Sequence, residues 1–197
     1  MSALANGQAH RPIYIYGFGT AFLGATDKVI TAGHCLGDKN EMVGSYVVFN
    51  FHATKEQTLA NGKKYVECNK DDVYEFKTVL GKKYDKGLNN SDWAVVKLDR
   101  AVQPTFKVPK RSAKKPEKDT PLYVIGHPLG LPMKIDIGAR VNDNKPVHKF
   151  YANLSIFVGN SGSPVFNLRT NEIEGILVSI IALTSVFAPC DLTAIPC

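Results

Sequence analysis

Short apolar runs recur at close intervals along this chain, and Gly, Pro, Asn or Asp separates one from the next. The runs at 13–16, 19–23, 29–31, 46–51, 73–80, 93–98, 122–125, 156–158, 163–167 and 174–181 are rich in β-branched and aromatic residues, which suit a pleated, half-buried surface. They predict short strands joined by tight turns, hence an all-β chain. No segment of useful length carries the helical period, apart from a single turn after His34. The longest apolar stretch, 175–189, is interrupted by Ser179, Thr184 and Ser185 and falls short of the roughly 18 residues of a membrane helix. No membrane span is expected.

One long stretch lacks any apolar period, the lysine- and proline-rich segment from Pro104 to Pro121. It predicts an N-terminal half over 1–105, a connector over 106–120 and a C-terminal half over 121–197. At 197 residues and 44% hydrophobic content, the chain can build a substantial core. The net charge of +6 is concentrated in the connector, where Lys107, Lys110, Arg111, Lys114, Lys115 and Lys118 face only Glu117 and Asp119. With Pro109 and Pro116 and no interleaved aromatics to stack on bases, this reads as a solvated linker. The alternative is contact with nucleic acid or an anionic membrane; no nucleic-acid partner is expected.

The four cysteines allow three fully bridged pairings, and Cys190 and Cys197 close a short C-terminal loop. No Cys-x-x-Cys occurs and the histidines are scattered, so neither a metal nor a cofactor is expected. Ala3-Leu4-Ala5 has the small-residue character of a signal-peptide cleavage site, which points to a secreted or periplasmic protein.

Three stretches carry the chemistry: Thr31-Ala32-Gly33-His34-Cys35, Asp92-Trp93-Ala94-Val95-Val96-Lys97-Leu98 and Gly159-Asn160-Ser161-Gly162-Ser163-Pro164. A serine hydroxyl is a poor nucleophile at neutral pH; it needs an imidazole to take its proton and a carboxylate to hold that imidazole in the right tautomer. His34, Asp92 and Ser161 offer one residue for each role. Singly, each has a plainer reading: a turn histidine, a turn-capping aspartate, a glycine-rich loop. Asp85 and Asp99 are rival acids, but neither precedes an apolar run that would bury its carboxylate. His127 lies in a His-Pro turn and reads as structural, and Trp93 is expected to shield Asp92 from water. An α/β-hydrolase is excluded by chain order and by Ser163, which stands where its elbow needs a second glycine.

With all three in the order His, Asp, Ser, the chain resembles the trypsin-like serine peptidases. The Gly-Asn-Ser-Gly-Ser-Pro-Val form at 159–165 is most similar to the bacterial branch that includes the glutamyl endopeptidases. Gly126-His127-Pro128-Leu129-Gly130 resembles a turn early in the second barrel of such proteins. The resemblance implies two six-stranded antiparallel β-barrels with the site in the cleft between them, and a serine endopeptidase acting through an acyl-enzyme on a protein or peptide substrate. Gly159 and Ser161 would supply the oxyanion-binding N–H groups. Many relatives bridge the cysteine after the histidine; here Cys68 is the other cysteine of the first half, so Cys35–Cys68 is the favoured pair there. Asn160 replaces the aspartate that in animal relatives pairs with a new N-terminus, so activation through that salt bridge is not expected.

The same resemblance places the floor of the primary specificity pocket at Ser155, with Ile156 and Val158 nearby and Leu177, Val178, Ser179 and Ile180 opposite. Ser155 carries no charge, which favours small or medium apolar side chains. Two other readings use the same fold: a non-catalytic binding protein, and an esterase or acyltransferase with the same triad. The sequence does not reach the oligomeric state.

Overall fold

A computed structural model describes residues 17–37, 44–58, 60, 64–66, 68–85, 91–181 and 184–189. The expected strand at 13–16 and the cysteines at 190 and 197 lie outside them. The described residues are all-β apart from four 3₁₀ turns. Thirteen strands follow in chain order: β1 Phe22–Ala25, β2 Lys28–Thr31, β3 Tyr46–Val48, β4 Glu56–Thr58, β5 Lys64–Val66, β6 Val73–Tyr84, β7 Asp92–Leu98, β8 Pro121–Gly126, β9 Lys134–Asp143, β10 Phe150–Ala152, β11 Pro164–Asn167, β12 Ile173–Ile181 and β13 Thr184–Pro189.

Every ladder between these strands is antiparallel. The first half is a five-stranded sheet in the order β1-β2-β7-β6-β3, one strand fewer than expected, and it is not closed among the described residues. The second half closes into a six-stranded barrel, β10-β13-β12-β11-β8-β9. β4 and β5 form a separate ribbon. The segment between β7 and β8 holds no strand; it meets the barrel through an isolated bridge, Arg111 to Ile173, and through backbone bonds from Asp119 N–H to Val141 O and from Val141 N–H to Thr120 O.

β7 shows how the two halves share a wall. Successive side chains of a strand face opposite ways, so its run of buried residues serves two cores. Ala94, Val96 and Leu98 pack with Leu23, Val29 and Tyr74 inside the first half. Val95 faces the other way and joins Phe22, Ile30 and Ala32 against Phe166, Ile173, Ile176 and Val178 of the second half. Burial of each such side chain contributes about 1.5–3 kcal/mol, so this shared cluster holds the halves together. Leu122, Val124, Val141, Phe150, Val165 and Leu177 fill the barrel interior.

Two expectations are corrected. Residues 156–158 form no strand: Ile156 is half-buried, Val158 is exposed, and the segment is an irregular approach to the turn at Ser161. A strand needs a ladder partner, and here the backbone turns back on itself, Asn160 N–H donating to Phe157 O at 3.2 Å. No disulfide joins Cys35 and Cys68. Cys35 sits beside His34 near the Tyr84 end of β6, whereas Cys68 lies five residues before its other end at Val73. The twelve-residue length of that strand keeps the two sulfurs apart.

Candidate active site

β2 delivers His34. After Thr31 the chain leaves the ladder and makes a 3₁₀ turn, Gly33–Cys35, with His34 in its middle. Thr31 pairs with Ala94 on β7, so the turn falls beside the first residue of that strand, Asp92. Asp92 Oδ1 accepts the backbone N–H of His34 at 2.9 Å, and Oδ2 accepts from Nδ1 at 2.6 Å. Holding both the backbone and the ring of His34, one carboxylate fixes its position and its tautomer, leaving Nε2 to face the cleft. The Asp92 side chain is only 10% exposed.

The second half brings Ser161 to that nitrogen. Its Oγ lies 2.9 Å from His34 Nε2, across 127 residues of chain. The turn around it is locked from several sides. Thr20 N–H donates to Ser161 O at 2.8 Å, Gly162 N–H to Leu177 O at 2.7 Å, and Ser163 N–H to Asn160 O at 2.9 Å. Buried Thr20 also donates its hydroxyl to Gly159 O at 3.1 Å and accepts the N–H of His127 at 3.0 Å. Thr20 thereby clamps the Ser161 turn to the segment leading into β1.

Gly159 has φ +95°, a conformation that side chains disfavour, and a Cβ there would lie 2.7 Å from Leu129 N. Only glycine fits. Among the described residues neither Gly159 N–H nor Ser161 N–H donates to another protein group, whereas Asn160 N–H between them does. This alternation leaves two donors beside the serine oxygen, as charge stabilisation of a tetrahedral intermediate requires.

The hydrogen bond to Asp92, with a lesser one involving Cys35, raises the His34 imidazole well above its ordinary 6.5 and outweighs the opposing effect of burial. Cys35 Sγ lies 3.8 Å from His34 Nε2 and 3.7 Å from Ser161 O. His127 is pushed the other way, chiefly by burial. Its Nδ1 donates to Leu131 O at 3.1 Å, and its ring lies 5.4 Å from that of Phe51.

Other expected residues are placed differently. Trp93 stands on the opposite face of β7 from Asp92, half-buried against the shared cluster and close over Gly81. The acid is covered instead by the turn that carries His34. Leu177 and Val178 are buried, the first in the barrel core and the second in the shared cluster, so they offer a substrate no side-chain surface. Ser155 and Ser179 are exposed. Of Ile180 only the backbone is described. Asn160 is buried with its amide oxygen against Gly126.

Three residues at or near the site carried no sequence signal: Thr20; Tyr84, half-exposed with its ring 6.0 Å from that of His34; and Asp136, whose Oδ2 accepts the N–H of Ser155 at 2.8 Å. Tyr84 is opposite Asp92 in the β6–β7 ladder, and only that register brings it to the imidazole. No group of three metal-ligating side chains occurs among the described residues, and none of their helices is long and apolar enough to cross a membrane.

Comparison with known proteins follows the same line. Residues 19–176 match the trypsin-like peptidase domain. Among solved structures, the Rv3671c protease from M. tuberculosis in its active form is similar with a TM-score of 0.59 and 16% identity, covering 89% of this chain and 70% of that one. The serine endoprotease from Yersinia pestis gives 0.60 and 17%, over 93% of this chain and 57% of that one. A mutant of human heparin binding protein gives 0.65 and 15%, over 87% and 80%. No curated protein matches. At these identities the solved structures establish the two-lobed fold, and the domain match, spanning most of the chain, establishes that the protein belongs to the trypsin-like peptidase domain family.

Proposed function

We propose that the protein is a serine endopeptidase working through an acyl-enzyme. The observation that carries this reading is the relay of 2.6 Å from Asp92 to His34 Nδ1 and 2.9 Å from His34 Nε2 to Ser161 Oγ. Ser161 attacks the scissile carbonyl as His34 takes its proton, and the tetrahedral oxyanion is received by the N–H groups of Gly159 and Ser161. His34 then protonates the leaving amine, and Asp92 stabilises the imidazolium between those steps. Water hydrolyses the acyl-enzyme by the same route in reverse. The positive φ of Gly159 and the two undonated N–H groups favour catalysis over a binding role on the same scaffold, since a binding protein has no need of an oxyanion site.

A fluorophosphonate probe tests this. The folded protein should be labelled at Ser161 and should cleave peptides, and Ser161→Ala should lose both. Unlabelled wild-type protein with intact structure overturns the reading. Labelling with ester but no peptide turnover would make the protein an esterase.

A further inference from the structure

We propose that Asp136 makes the primary specificity pocket select a positively charged side chain, lysine or arginine, at the residue preceding the cleaved bond. The proposal rests on the peptidase reading above and names its substrate class.

β9 carries a bulge. β9 reads Lys-Ile-Asp-Ile-Gly-Ala-Arg-Val, an alternation that on a regular strand would put Ile135, Ile137, Ala139 and Val141 on one face and Asp136 on the other. The β8–β9 ladder pairs Leu122 with Ala139 but Tyr123 with Ile137, so Gly138, at φ +105°, is an extra residue. Past that point the faces exchange. Ile135 and Ile137 are turned outward, 53% and 63% exposed, while Asp136 lies opposite Val124, a residue of the barrel core. Opposed residues of an antiparallel pair share a face, so Asp136 is an acid on the inner side of the barrel wall.

It stands near the mouth from which the nucleophile projects. β8 ends at Gly126, which is packed against Asn160 and Ser163, and Gly126 pairs with Lys134, two residues from Asp136. The segment from β10 to Ser161 crosses this mouth and is stitched to β9 on its way: Arg140 N–H donates to Asn153 Oδ1 at 2.7 Å, and Ser155 N–H to Asp136 Oδ2 at 2.8 Å. The carboxylate therefore touches the backbone of the chain six residues before the nucleophile.

One hydrogen bond does not use up a carboxylate, which has two oxygens and about four acceptor sites. Among the described residues Asp136 accepts no other bond and pairs with no lysine or arginine, and it is only half-buried. Along the chain, half-buried Ile156 and exposed Phe157 and Val158 separate Ser155, which Asp136 holds, from Ser161. Apolar side chains following a segment anchored to an unpaired carboxylate suit the two parts of a lysine or arginine side chain, an aliphatic stem and a cationic head. Ser155 adds a neutral hydroxyl beside the acid. An acidic side chain would meet repulsion there, and an apolar one would leave the carboxylate uncompensated.

The test uses peptides differing only at the residue before the cleaved bond, with lysine, arginine, leucine or glutamate there. Wild type should prefer lysine and arginine, and Asp136→Asn, which keeps an acceptor for Ser155 N–H, should lower the lysine-to-leucine ratio of kcat/KM by about tenfold or more. Asp136→Lys should shift preference towards glutamate. Benzamidinium binding to the Ser161→Ala protein, followed by calorimetry, gives a readout independent of turnover and should weaken by a similar factor in Asp136→Asn. The proposal is overturned if wild type prefers leucine, or if Asp136→Asn leaves both the substrate ratio and benzamidinium binding unchanged. Fluorophosphonate labelling separates these outcomes, because a protein that labels but lacks the preference loses only this assignment, whereas one that does not label loses the peptidase reading.

Discussion

The two halves of the molecule reach the cleft by different means. In the first half His34 and Asp92 lie on neighbouring elements of one sheet, at the ends of β2 and β7, and the pairing of Thr31 with Ala94 puts His34 beside Asp92. In the second half Ser161 lies on irregular backbone between β10 and β11, held by bonds from elsewhere: Thr20 of the other half, and Leu177 of β12. One half is positioned by ladder register and the other by cross-links. Ladder geometry survives most single changes, whereas a cross-linked turn depends on a few named groups.

Removing the ladder-held acid should have the largest effect. Asp92→Asn keeps the shape but no longer fixes the donor tautomer of His34, and kcat should fall by about ten-thousandfold, as in the serine-protease template, with the fold intact by circular dichroism. Thr20→Val probes the cross-linked half. It should strip a buried hydroxyl from Gly159 O and His127 N–H, cost about 1–3 kcal/mol in denaturant unfolding and lower activity through the displaced turn. If unfolding is unaffected, the second half does not depend on that clamp.

The pH profile separates the halves further. Because the Asp92 bond favours the protonated imidazole, neutral His34 is reached only at higher pH than for a free histidine. The acid limb of kcat/KM should therefore have its midpoint above 6.5, and residual activity in Asp92→Asn should move that midpoint down. A wild-type midpoint at or below 6.5 would show that the bond does not hold the imidazole as described. The smallest expected effect is Ile137→Ser, within about 0.5 kcal/mol because the side chain is exposed. Val141→Ser, four residues along the same strand but inside the barrel, should cost several times more. Equal costs would contradict the face exchange at Gly138.

That last pair also shows where the sequence stops being legible. β7 is readable because Trp93 to Val96 form a continuous apolar run and its ladder with β2 is regular; its first residue, Asp92, is the acid that holds His34. β9 alternates just as clearly, yet a pattern of period two cannot announce an extra residue, and the bulge puts two isoleucines in solvent and an aspartate inside. Residues 156–158 look like a strand because β-branched and aromatic residues suit one, but their backbone bonds are turn-like, Val158 O accepting from Leu129 N–H and Phe157 O from Asn160 N–H, and no ladder forms. Leu177 and Val178 are adjacent to the Ser161 turn in space while their side chains serve two cores.

The chain alone determined the all-β class and which three side chains could cooperate, because both depend on residue type and local spacing. It could not determine how the lobes close: among the described residues the first is an open five-stranded sheet and the second a closed barrel. Nor could it determine which acid stands beneath Ser155. Those outcomes depend on register, bulges and hydrogen bonds between residues more than a hundred positions apart, such as Thr20 and Ser161, and such pairings have no energy until the chain has folded.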